Sequence, residues 1–127
     1  MKENDMCNNA QEVRRKMLLR IGTNVHFRFP IGEGRMDGIL EDRCVIPSNA
    51  RADVSYWDVV DLITFTGEPE KWIRIGYYRQ MNDGLRWGSQ TTIAEPVSVW
   101  KKLLIQTARE KEWFRELLKA VCHELDG

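Results

Sequence analysis

No stretch of this sequence approaches the ~18 consecutive apolar residues that a membrane-spanning helix needs, so no membrane association is expected. The opening residues MKENDMCNNAQEV also lack the apolar segment of a secretory leader. Cysteine is scarce. Cys7, Cys44 and Cys122 are odd in number and widely spaced, which argues against a disulfide framework and fits reduced thiols in the cytoplasm. Histidine is scarcer still, with only His26 and His123, and no Cys-x-x-Cys accompanies them. Cys122 and His123 are neighbours in a helical pattern and so point ~100° apart; neither a metal centre nor another cofactor is expected. An excess of either charge is also missing, since 19 basic residues balance 19 acidic ones. That balance argues against a dedicated nucleic-acid binder, which is usually basic. No G-x-S-x-G, P-loop, G-x-G-x-x-G or E-x-K pattern occurs, and Gly32-Glu33-Gly34 is too short to cradle phosphate.

What is present is enough chain for one core. With 127 residues, 43% of them hydrophobic and 30% charged, the protein can fold without a disulfide or metal staple. Residues 1–127 contain no repeat and no linker, and read as a single domain. Residues 1–8 are expected to fray. Asn9, with Glu12 in capping-box spacing, opens a helix over 9–22 whose Val13, Met17 and Ile21 share one face, and Gly22 stands at C′. The period then changes to two. Strands are expected over 24–29, 36–46, 56–65, 71–81 and 85–93, with Gly38 marking a bulge or a close approach of backbones. From Pro96 the helical period returns, and Val97, Trp100, Leu104, Ala108, Phe114, Leu118, Val121 and Leu125 trace an apolar stripe over 96–125, with a break near 106–110. The fold class is therefore α+β: an antiparallel, partly curled five-stranded meander, flanked by a short N-terminal helix and a long C-terminal helix that are expected to cover one face of the sheet.

The last hairpin sorts its side chains. If Asn82-Asp83-Gly84 forms a three-residue loop with Gly84 left-handed, Met81 pairs with Leu85, Arg79 with Trp87 and Ile75 with Thr91 on a mostly apolar face. The opposite face then carries Trp72, Arg74, Tyr78, Arg86 and Gln90 above Gly76 and Gly88, and His26 and Arg28 can join if the 24–29 strand is a neighbour. Aromatic rings can stack on planar ligands, and arginines can grip phosphate or carboxylate. The same pattern also suits ordinary cross-strand pairs on a sheet surface. Asp61 is in phase with Trp57, Val59, Ile63 and Phe65 and should point inward, where Arg79 or Tyr77 could answer its charge. Asp42, in phase with Leu40, Cys44 and Ile46, invites the same reading.

In strand count and turn spacing the chain is loosely similar to SH3-like barrels, with an open sheet as the alternative. No diagnostic motif carries that likeness. Three functions follow from these patterns. The first is a non-catalytic module that binds an anionic ligand, nucleic acid above all, on the face of Trp72, Arg74, Tyr78, Arg86 and Gln90. The second is a protein-interaction subunit or homodimer docking through Trp113, Phe114 and Leu117 of the last helix. The third is a small hydrolase using His26 with Asp58 or Asp42; Cys44 and His26, on adjacent strands, have different expected faces.

Overall fold

A computed structural model describes residues 3–28, 34–48, 56–81, 84–87 and 93–127. The order is α1 (Glu3–Leu18), β1 (Asn24–Arg28), β2 (Arg35–Ser48), β3 (Tyr56–Phe65), β4 (Trp72–Met81), β5 (Gly84–Trp87), α2 (Val97–Glu110) and α3 (Glu112–Asp126). The strands form one curled antiparallel sheet in the order β1-β2-β3-β4-β5, the expected meander. The first helix starts at Glu3 rather than Asn9 and stops at Leu18. Gly22 has a positive φ of 89°, and its amide donates to the Leu40 carbonyl at 2.6 Å, steering the chain into the sheet. No described helix is long and apolar enough to cross a membrane.

Helices cover both faces of the sheet, not the single face expected. On one face Val13 and Met17 of α1 bury against Val45, Trp57, Val59 and Tyr78, and Leu40, Ile63 and Phe65 close the far end with Val25 and Met36. On the other face Cys44, Ile46 and Val60 bury against Leu103 of α2 and Phe114 of α3. Each such large apolar side chain removed from water contributes about 2–3 kcal/mol. The two-sided burial explains the near-continuous apolar run of β3: seven of its ten positions are buried, in the pattern iBBBBBiBiB.

A single bulge in β2 decides which residues meet. Leu40 pairs with Ile63, but Asp42 pairs with Leu62, so Glu41 is the extra residue. Beyond it the strand's phase reverses: Arg43 and Val45 join Leu40 on the α1 face, and Asp42, Cys44 and Ile46 turn to α2 and α3. This corrects the expectation that Asp42 is in phase with Leu40. Gly38 is the close approach anticipated for it, since a side chain there would collide with the Thr64 carbonyl and the Phe65 ring.

The C-terminal helix breaks at Lys111, which is extended (φ −123°, ψ 114°). Its ammonium bonds Asp42 at 2.8 Å, and the Trp113 indole donates to the other oxygen of the same carboxylate at 2.8 Å. Arg115 donates to the Ala108 and Arg109 carbonyls at the end of α2. The break is thus pinned to the β2 bulge.

Candidate functional site

The basic-aromatic face does not assemble as the sequence suggested. Met81 pairs with Gly84, Gln80 with Leu85, Arg79 with Arg86 and Tyr78 with Trp87, a register one residue away from the expected one, with Asn82 and Asp83 between the strands. Arg86 therefore leaves the face of Arg74 and Tyr78, and Trp87 takes its place. The physical reason is Gly76, which lies under the Trp87 ring; any side chain there would collide with it. Arg74, on the same face, stacks on that ring, its guanidinium carbon 4.6 Å from the Trp87 ring centre. Tyr78 is buried beneath α1 rather than wet. Trp72 is partly exposed and packs edge-on against Phe65. Gln90 and the Arg28 side chain lie outside the described residues. His26 is on the face opposite Arg74, with β2 and β3 between their strands.

Asp61 points inward as expected, but its partners differ. Odd positions of β3 pair with even positions of β4, so Arg79 and Tyr77 project from the other face. The partners are Arg43, which forks onto Asp61 at 2.6 and 3.0 Å, and Arg74, at 3.0 Å. Arg43 also donates to the Tyr78 hydroxyl at 3.1 Å and to the Met17 carbonyl at 3.2 Å. Burial alone would lower the Arg43 pKa, but Asp61 and Tyr78 outweigh it and hold it raised. Arg43 thereby also meets the negative end of α1, where Met17 lies one residue from the helix terminus. The cluster's charge is answered within the fold: it latches α1 onto the sheet. The bulge is what turns Arg43 toward Asp61, and nothing in the alternation pattern marked it.

The hydrolase pairs are not brought together. His26 sits opposite Asp37 and Asp58 sits opposite Ile46, which is nine residues further along β2, or roughly 30 Å. Asp42 is held by Lys111 and Trp113. Cys44 is buried and donates to Glu110 at 2.8 Å; burial, with Glu110 beside it, pushes its thiol up to about 12, which disfavours the thiolate a nucleophile needs.

Two other places stand out. In α3, Phe114 is core and Trp113 is half-buried, so of the three expected interface residues only Leu117 is on the surface, 42% exposed. The stripe continues instead through Val121 (46% exposed) and Leu125 (80%). Every residue from 119 to 127 is exposed. The second place is Asp58, 1% exposed beneath the start of α2. Burial pushes its carboxyl up to about 7, and Glu95 next to it adds to the shift. Glu95 accepts a bond from the Ser48 hydroxyl at 2.7 Å, yet among the described residues no donor answers either Asp58 oxygen or the second Glu95 oxygen. Glu95 looked like a connecting residue in the sequence, and its 37-residue separation from Asp58 leaves no local signal.

Comparison with family models, curated proteins and solved structures finds no match to this chain, so its function is argued from these side chains alone.

Proposed function

We propose that this protein is an interaction module that self-associates through the exposed end of α3. The observation that carries this reading is the stripe of Leu117, Val121 and Leu125, which runs past the edge of the body into water. Helical segments of fewer than ~12–15 residues are marginal in water without packing. An apolar stripe on the unpacked last turns of a helix is the pattern a partner would cover.

A second copy of the chain fits as that partner. The chain carries zero net charge, so no long-range repulsion opposes pairing. In an antiparallel two-fold arrangement about Val121, Leu117 of one copy meets Leu125 of the other. The patch is small beside the ~1,200–2,000 Å² of stable interfaces, so association should be concentration-dependent. Sedimentation over a dilution series should show a monomer–dimer equilibrium that Val121→Asp with Leu125→Asp shifts to monomer without lowering Tm. Cys122, exposed and one residue from the two-fold axis, should give a cross-linked dimer with a short bis-maleimide, and Cys122→Ser should not. A chain that stays monomeric at every concentration would sink the proposal.

A second reading, binding of an anionic ligand, retains support at Trp72 and Arg74 alone. Arg74 is oriented by Asp61 and Trp87, and Trp72 is accessible two residues away on the same face. Affinity for single-stranded nucleic acid that falls steeply with salt and is lost in Trp72→Ala would favour it. No binding at low salt would end it.

A further inference from the structure

We propose that Asp58, Glu95 and Ser48 form a site for one hard divalent cation of the magnesium, calcium or manganese class. Three strands and a helix terminus converge there. Asp58 projects from β3 between Ile46 of β2 and Tyr77 of β4, Ser48 is the last residue of β2, and Glu95 precedes Pro96 at the start of α2. Tyr56 and Tyr77 flank the site with rings 5.5 Å apart, and Arg79, diagonal to Asp58 on the same face, is exposed.

The number of unanswered oxygens decides between a proton and a metal ion. Two carboxylates held side by side away from water must share one or the other. Among the described residues no donor reaches three of their oxygens: Asp58 Oδ1, Asp58 Oδ2 and Glu95 Oε2. One shared proton joins two oxygens and leaves the third bare, which is costly in a buried place. A hard cation accepts all three, and the Ser48 oxygen keeps lone pairs to add, since its hydrogen goes to Glu95 Oε1. The cluster holds no sulfur or imidazole, so oxygen-seeking ions are preferred over zinc or copper. Among the described residues no group of three or more His, Cys, Asp or Glu that could hold a metal ion is found. Here the protein would supply two carboxylates and a hydroxyl, and water the remaining ligands, as is usual for magnesium. Bound there, the ion ties the β2–β3 end of the sheet to α2.

The test uses the full chain, freed of metal by a chelator and held at pH 8, above the value of about 7 to which burial and Glu95 push Asp58. Magnesium, calcium or manganese at about a hundredfold excess over Kd should raise Tm by on the order of 8 °C. Terbium, a calcium-sized probe, should give luminescence sensitised by Tyr56 and Tyr77. Asp58→Asn and Glu95→Gln should each lose both responses; if Asp58→Asn does not fold, Glu95→Gln and a weakened response in Ser48→Ala carry the same reading. The proposal is overturned if the chain shows neither a Tm shift nor terbium luminescence, or if both survive in the folded variants. It is equally overturned if no ion acts and Tm instead falls as pH rises through 7, since a shared proton then answers the pair.

Discussion

Arg43 is the residue on which the α1 face turns. It is almost fully buried, it forks onto Asp61, and it reaches the Met17 carbonyl across the helix–sheet junction. Arg43→Met leaves a buried carboxylate with Arg74 as its one remaining ion-pair partner among the described residues and should cost about 3–5 kcal/mol in urea unfolding. Adding Asp61→Leu should recover much of that, because no fully buried charge then remains, while Arg74 is partly exposed and keeps its stack on Trp87. Gly76 has a different role: it makes room. Gly76→Ala places a methyl group against the Trp87 ring and should cost about 1–3 kcal/mol by overpacking. Cys44 and Cys122 separate by chemistry. With its thiol pushed up to about 12, Cys44 should resist maleimide at pH 8 until urea unfolds the chain, while exposed Cys122 reacts at once; mass spectrometry of labelled peptides distinguishes them.

Among the elements, the α2–α3 break depends on Asp42. Burial pushes its carboxyl up, but the bonds from Lys111, Trp113 and the Arg43 amide outweigh burial and leave it lowered. A carboxylate lowered by folding stabilises the protein above its ordinary value near ~4, and that stability is lost as pH falls through the folded value. Asp42→Asn should therefore cost about 1–2 kcal/mol at pH 7, and its difference from the parent should vanish in acid. Urea unfolding at several pH values measures both. The expected five strands all appear because alternation with period two marks half-buried strands whatever covers them. Which face meets which helix was not legible. Both faces are covered, so alternation identifies two sets of residues without saying which set lies under α1. The bulge at Glu41 compounds this by exchanging the sets halfway along β2. The hairpin register failed for a related reason: turn residues alone do not weigh the fit of Trp87 over Gly76.

For the whole molecule, the body should not need the end of α3. All residues from 119 to 127 are exposed, so a chain ending at Leu118 should keep Tm within about 2 °C, consistent with surface changes of under ~0.5 kcal/mol. The same truncation should abolish dimerisation in sedimentation. A large loss of Tm would mean instead that these turns pack on the body.

The sequence by itself determined the α+β class, the strand order and the inward turn of Asp61, because each depends on local periodicity and short connections. Tertiary structure alone decided the partners: Arg43 for Asp61, Trp87 for Arg74, Lys111 and Trp113 for Asp42, Glu95 for Asp58. Those pairs join positions 13 to 71 residues apart, and one inserted residue or a one-residue slip between strands reassigns them while leaving every local pattern unchanged.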